Sequence, residues 1–267
     1  EIKQYAKEIL ADNIGNIDMV VIEEKLVGEE FTLQAFVSPD EILGMPMVQD
    51  HKRAYEGDKG PNTGGMGSYT DKGYILPFLK QEDYEFGLNV IKQSVKALKE
   101  ETGTVYKGVI YCQMIVTQNG SKLIEFNARF GDPEAMNVLS LFEGDFVEVM
   151  KAMASGGLED ADAKFADKAT VCKYLVPEGY PTNPEEGAEI RVDEEAIKNA
   201  GAHLHYASVS EEDGKILTSG SRAVSVTGIA DSIFQAEKIA ERATKYFKGP
   251  LEHRTDIGTE DLIEKRN

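Results

Sequence analysis

The amino-acid sequence predicts an α+β fold. An antiparallel-rich sheet with flanking helices is expected over residues 1–165, followed by a small α+β C-terminal domain over residues 166–267. Three features carry this expectation. Two apolar strand-like runs, at 31–37 and 106–116, are joined to a third at 123–127 by an Asn119-Gly120 turn signal. A long amphipathic segment at 81–101 lies between them, with Tyr84, Leu88, Ile91, Val95 and Leu98 on one helical stripe. After a polar stretch at 164–168 the pattern changes to short strands and turns that end in one helix.

Composition narrows the function. The chain has 267 residues, 41% of them hydrophobic, enough for a real core. With 47 acidic and 29 basic residues the net charge is −18, which argues against a nucleic-acid binder. An acidic enzyme that handles nucleotides must gather its cations locally. Cys112 and Cys172 both lie in apolar runs, so buried free thiols in a reducing, cytoplasmic setting are expected. No apolar run reaches membrane-spanning length and no signal-like segment is seen, so no membrane association is expected.

Residues 3–11 read as a helix. Met19-Val20-Val21-Ile22 reads as a short buried strand, followed by the acidic turn Glu23-Glu24-Lys25-Leu26. The strand at 31–37 is closed by Ser38-Pro39-Asp40, and 42–48 reads as strand again. Gln49-Asp50-His51-Lys52-Arg53 then leads into a loop at 57–67 with five glycines in eleven positions. Its backbone N–H groups suit an anion, and the adjoining cations favour that over a mobile surface loop. Residues 133–154 form one helix or two, with Gly144-Asp145 as the possible break. In the second half, strands are expected at 169–176, 202–209 and 222–227, with a final helix capped by Asp231 and running through Phe247. His203 and His205 share a strand face without a third ligand at a characteristic spacing, so they read as ordinary strand histidines.

The stretch richest in chemistry is Leu123-Ile124-Glu125-Phe126-Asn127-Ala128-Arg129-Phe130-Gly131-Asp132-Pro133-Glu134. Strand alternation puts Leu123, Glu125 and Asn127 on one face. A carboxylate and an amide two residues apart offer hard oxygens of the kind Mg²⁺ takes while phosphate and water complete its shell. The same pair also fits a strand with a polar wet side. Asp132 is a good N-cap, Pro133 suits the first helical position, and Glu134 suits the positive helix end.

Three motifs together resemble the phosphoribosylamine–glycine ligases, an ATP-grasp family. They are Gln49-Asp50-His51-Lys52-Arg53, Gly60-Pro61-Asn62-Thr63-Gly64-Gly65-Met66-Gly67, and residues 124–134. The resemblance runs to Gly258 and includes Arg222. It implies an ATP-grasp lobe, ligation of glycine to 5-phosphoribosylamine with ATP through glycyl phosphate, and Mg²⁺ or Mn²⁺ as cofactor. By resemblance, Glu125 and Asn127 hold metal, with Gln113 a third candidate. Glu23, Glu24 and Leu26 form the adenine hinge, and Glu30 reaches the ribose. Arg129, Lys52 and Arg53 are the catalytic candidates. Asn62, Thr63, Gly64, Gly65, Met66, Gly67 and Asp132 line the place for glycine or the ribosyl phosphate. Turn length gives a register test: a two-residue Asn119-Gly120 turn places Gln113 opposite Phe126, and a three-residue loop places it opposite Glu125, the expected partner. The family also has an N-terminal substrate domain and a glycine-rich phosphate-covering lobe, expected here from preceding residues or a separate chain. Two other readings stay open: a different ATP-grasp carboxylate–amine ligase, or a non-catalytic half-site that works through a partner.

Overall fold

The computed structural model describes residues 2–12, 19–39 and 41–266; Asp40, the last residue of the predicted turn, lies outside them. Helix α1 (Ile2–Asp12) opens the chain. The expected buried strand at 19–22 is not formed: residues 19–27 carry no regular secondary structure, and Met19, Val21 and Ile22 are exposed. Among the described residues they join no sheet ladder.

Strand β1 (Glu29–Val37) folds back into β2 (Ile42–Gly44). The expected strand over 42–48 stops at Gly44 because the chain there changes sheets. The Met45 and Met47 amides bond to the Gln34 and Tyr74 carbonyls, and β3 (Gln49–Asp50) joins a second sheet. The glycine-rich stretch is more ordered than its composition suggests. β4 (Arg53–Tyr55) and β5 (Lys59–Asn62) form a hairpin, with Gly57 and Asp58 at positive φ (70° and 55°) in its tip, and β6 (Gly67–Thr70) follows.

Helix α2 (Gln81–Thr102), β7 (Gly108–Thr117) and β8 (Gly120–Asn127) complete the first sheet, antiparallel throughout in the order β2-β1-β7-β8. One face carries Phe31, Leu33 and Ala35 from β1 with Ile110, Cys112 and Met114 from β7, all buried. α2 packs on that face. Gly87 permits the close approach: a Cβ there would stand 2.6 Å from Met114 Cε and 2.8 Å from Leu33 Cδ2. The opposite face carries Glu30, Thr32, Gln34, Tyr111 and Gln113 and holds the candidate site.

Next come α3 (Glu134–Ser140), β9 (Phe142–Gly144) and α4 (Phe146–Ser155). The predicted break is real, and the Asp145 carboxylate caps α4 by accepting from Val147 N (2.9 Å) and Glu148 N (3.1 Å). β10 (Ala163–Phe165) pairs with β9, and β11 (Ala169–Pro177) follows, buried along its whole length. The remainder is β12 (Glu189–Val192), α5 (Glu194–Asn199), β13 (Ala202–Tyr206), β14 (Val209–Glu212), β15 (Lys215–Thr218), β16 (Val224–Ala230), α6 (Ile233–Thr244), β17 (Phe247–Lys248), β18 (Leu251–His253) and α7 (Glu260–Glu264). The strand expected at 202–209 is thus two short strands. The expected Asp231 cap is corrected: Ser232 caps α6, while Asp231 accepts from Lys168 Nζ at 2.5 Å.

The second sheet has the order β13-β16-β11-β6-β3, with β18 also on β11. Strands from both sides of the 165/166 division therefore share one hydrogen-bonded sheet. Cys112 and Cys172 are buried free thiols, as expected.

Candidate active site on the polar face of the first sheet

β7 and β8 are joined by a two-residue turn at Gln118-Asn119, one position earlier than the turn signal suggests. That register would place Gln113 opposite Ile124. A bulge then shifts the ladder, so Met114 faces Leu123 while Gln113 faces Glu125. The Gln113–Glu125 pairing is therefore present, reached by a bulge rather than by a three-residue loop. The bulge also corrects the predicted face: Leu123 lies with Met114, on the side away from Glu125.

Beyond the bulge, Glu125 and Asn127 are side by side, with Asn127 Nδ2 donating to Glu125 Oε1 at 3.1 Å. Arg129 is exposed and donates to Asn127 Oδ1 (3.4 Å) and the Phe130 carbonyl (2.8 Å). Across the sheet, Glu30 Oε2 accepts from Lys52 Nζ (2.8 Å) and Gln113 Nε2 (2.9 Å). Gln113 is fully buried, and its amide oxygen accepts from the Tyr111 hydroxyl.

Two carboxylates lie beneath this surface whose place the sequence did not reveal. Glu134 is buried, its Oε1 accepting from Tyr111 (2.9 Å) and Thr32 (3.2 Å). Burial, reinforced by the nearby Asp50 charge, pushes its carboxyl up to about 7. Burial likewise raises Asp50, with Lys52 opposing and Glu30 adding to the shift; its Oδ1 is buried with no partner among the described residues. For Lys52, burial acts downward, and the Asp50 and Glu30 carboxylates outweigh it to hold the ammonium above its ordinary range. The signal for Asp50 was its place between Gln49 and Lys52; for Glu134, nothing local separated a buried acid from a helix-end charge.

Asp132 is not the cap of α3. Pro133 occupies that position, and Asp132 is drawn to Arg222, which donates to Oδ1 at 3.1 Å and Oδ2 at 3.0 Å, while Tyr174 donates to Oδ1 at 2.8 Å. Arg222 lies over the Tyr174 ring and also donates to the Gly64 and Gly65 carbonyls (2.8 and 3.0 Å). Residues 63–66 are bound inward. Thr63 N bonds to Lys52 O, Gly65 N to Thr63 Oγ1 and Met66 N to His51 O. Met66 is buried, Asn62 is exposed in β5, and Gly67 sits so close to β11 that a Cβ would lie 2.3 Å from the Cys172 carbonyl oxygen. The anion cradle expected of this loop has thus spent those three N–H groups on the chain itself. Arg53 is exposed and bonds to Gly60 O at 2.8 Å, within its own hairpin, away from Glu30 and Lys52.

Glu23, Glu24 and Leu26 lie on the irregular segment before β1, where Glu24 meets Lys122 Nζ of β8 at 3.3 Å. The backbone groups of 23–26 make no hydrogen bond among the described residues. Gly28 then passes so close to β7 that a Cβ would stand 1.9 Å from Val116 O. The structure therefore gathers Glu30, Lys52 and Gln113 with Glu125, Asn127 and Arg129 on one polar face, and leaves Arg53 and Asn62 on the hairpin.

The donors present fit a hard divalent cation. Glu125 and Asn127 are neighbouring side chains at the exposed edge, each with a hard oxygen; the amide nitrogen now faces Glu125 and the amide oxygen faces Arg129, so turning the amide over would bring both oxygens to a cation whose shell a phosphate ligand would complete. Among the described residues no three His, Cys, Asp or Glu side chains form a metal-binding group by themselves.

Residues 1–135 match the family described as phosphoribosylglycinamide synthetase, ATP-grasp (A) domain, and residues 170–260 match its C domain. The chain belongs to the phosphoribosylglycinamide synthetase family. It is 55% identical over 266 residues to phosphoribosylamine–glycine ligase of Methanocaldococcus jannaschii, covering 100% of this chain and 60% of the relative. It is 54% identical to that of Methanosarcina barkeri, covering 99% and 59%. The crystal structure of phosphoribosylamine–glycine ligase from Thermotoga maritima superposes with a TM-score of 0.80 at 28% identity, over 96% of this chain and 62% of that one. The biotin carboxylase domain of Hydrogenobacter thermophilus 2-oxoglutarate carboxylase, solved with MgADP, shares the fold with a TM-score of 0.66 at 12% identity, over 98% and 56%. The chain thus spans about 60% of the length of the curated relatives it matches. Among the described residues no helix is long and apolar enough to cross a membrane.

Proposed function

We propose that this chain forms the larger part of an enzyme that ligates glycine to 5-phosphoribosylamine, converting ATP to ADP and phosphate. The observation that carries this reading is the joined polar face. A Glu–Asn pair fit for a divalent cation stands on the same sheet face as the Glu30–Lys52–Gln113 group, in a member of this family. The free backbone of 23–26 meets the adenine edge, and Glu30 takes the ribose hydroxyls. Glu125 and Asn127 hold Mg²⁺ or Mn²⁺, with Gln113 behind them, fixing Glu30. The metal, when bound, neutralises charge on the transferring phosphate. Arg129 and Lys52 supply further positive charge to phosphate and acyl oxygens. The 62–67 segment and Asp132, set by Arg222, form the wall for glycine and the ribosyl phosphate, with Arg53 at its outer rim. Positioning and charge suffice here, so no side-chain nucleophile is needed.

Residues 1–165 and 166–267 act in this reading as two domains that share the second sheet, and an N-terminal half completes the phosphate cover. The test is ADP release by the full-length protein with glycine and phosphoribosylamine. Release that requires both supports the reading. Equal release with bicarbonate in place of glycine would point to another ATP-grasp ligase and overturn it.

A further inference from the structure

Residues 254–266 reach back to the candidate site through two arginines, although they lie some 200 residues away in sequence. Arg254 is 1% exposed. It donates to Asp58 Oδ1 (2.8 Å), to the Arg53 carbonyl (3.1 Å), and through Nε and Nη2 to Asp256 (2.8 and 2.7 Å). Arg266, just beyond α7, donates to the other oxygen of Asp58 and to Glu29 Oε2 at 2.7 Å. The two guanidinium groups therefore share one carboxylate at the tip of the β4–β5 hairpin. Gly57 N and Thr255 Oγ1 add further bonds across the same seam, to Asp256 and Glu56.

Both ends of this seam are one residue from the groups of the polar face. Glu29, held by Arg266, precedes Glu30. Gln49 Nε2 bridges the pair, donating to Glu29 Oε2 (3.3 Å) and the Glu30 carbonyl (3.0 Å), and its own amide oxygen is fixed by Tyr69 at 2.5 Å. Arg53, whose carbonyl is held by Arg254, follows Lys52, and the Lys52 carbonyl is pinned from the other side by Thr63 N (2.7 Å) and Oγ1 (2.8 Å). The backbones that present Glu30 and Lys52 to each other are thus both anchored to the C-terminal segment.

We infer that the segment carrying Arg254 and Arg266 is a latch that positions Glu30 and Lys52, and that Arg266 is a positioning residue for the nucleotide end of the site. The inference rests on the functional reading above. A planar fork that spans two carboxylates on different elements fixes their separation, which an ammonium, as a single point charge, does less well. If the segment were only a packed tail, its loss would loosen the fold without selecting one substrate.

The experiment is steady-state kinetics of the full-length protein with ATP, glycine and phosphoribosylamine varied in turn, for wild type, Arg266→Ala, Arg266→Lys, Asp58→Asn and the double variant. Misplacing binding groups by a fraction of an ångström predicts a rise in the KM for ATP of about tenfold in Arg266→Ala, with the KM values for glycine and phosphoribosylamine within about twofold. Arg266→Lys is expected between wild type and Arg266→Ala. The double variant should be little worse than Asp58→Asn alone, because that change already removes the Arg266 contact along with the one to Arg254. An unmoved KM for ATP in Arg266→Ala overturns the latch. So does a parallel rise in all three KM values with a lowered melting temperature, the signature of general loosening. Wild-type protein that releases no ADP would overturn the functional reading itself.

Discussion

Glu134 gives the sharpest quantitative test, because its burial has a defined consequence for stability. The carboxyl lies under the polar face, with the Tyr111 and Thr32 hydroxyls at 2.9 and 3.2 Å, and burial lifts it from 4.5 to about 7. A carboxyl raised on folding contributes stability that is fully present below its unfolded value. That contribution is lost as pH rises through the folded value, here between 4.5 and about 7. At about 1.4 kcal/mol per pKa unit, the lost stabilisation amounts to about 2 to 3 kcal/mol between about pH 5 and about pH 8. Wild type alone will not display it cleanly. His51 is buried and pulled down from 6.5 to about 4, so its contribution is present above 6.5 and lost as pH falls towards 4, the opposite slope. The comparison that isolates Glu134 is Glu134→Gln against wild type, by urea unfolding in EDTA at about pH 5 and about pH 8. The amide cannot ionise and keeps an acceptor for the two hydroxyls. The variant should gain about 2 to 3 kcal/mol relative to wild type on going from the lower to the higher pH. A difference between the two proteins that does not change with pH would refute a raised Glu134 carboxyl.

Glu125→Ala in the full-length protein should lower ATP turnover at least about hundredfold even at saturating Mg²⁺, because the carboxylate of the proposed Glu–Asn metal pair is gone; near-normal turnover would sink the metal role. Lys173 is fully buried and donates to Glu237 (2.8 Å), Glu241 (2.7 Å) and the Thr255 carbonyl (2.8 Å). Lys173→Met strands two carboxylates and should cost about 3 kcal/mol in urea unfolding, with a loss below about 1 kcal/mol counting against the network. Gly67→Ala would put a Cβ 2.3 Å from a backbone carbonyl oxygen at a φ of 154°. It should cost about 2 kcal/mol and lower the melting temperature by several degrees, and an unchanged melting curve would disprove the close approach.

What the sequence showed well was local. The apolar runs of β1 and β7, the stripe of α2 and the break at Gly144-Asp145 each follow from periodicity or capping over a few residues. What it hid was made by distant partners. Nothing near Asp132 announces Arg222, 90 residues on, yet that ion pair takes the carboxylate away from the helix it would otherwise cap. The glycines at 64, 65 and 67 read as part of an anion-binding loop. In the fold, Gly64 and Gly65 make room for Arg222 and Pro133, and Gly67 for the β11 backbone, contacts that depend on sheet pairings 100 residues apart. Asp231 lost its cap role in the same way, to Lys168.

The Glu125–Asn127 pair shows how an expected strand face can be kept while the route to it changes. Alternation put the two side chains on one face, and that survives because the bulge lies before Glu125. Had the turn at Gln118-Asn119 continued into an unbroken ladder, Gln113 would face Ile124, and Glu125 would stand on the apolar side with Met114's neighbours. The bulge restores the opposition of Gln113 and Glu125 and leaves Leu123 with Met114. One inserted residue thus puts Ser121 and Leu123 on the face of Met114 and Val116, and Glu125 and Asn127 on the face of Gln113 and Tyr111. The chemistry of the strand is therefore set at Ile124, a residue with no polar atom in its side chain.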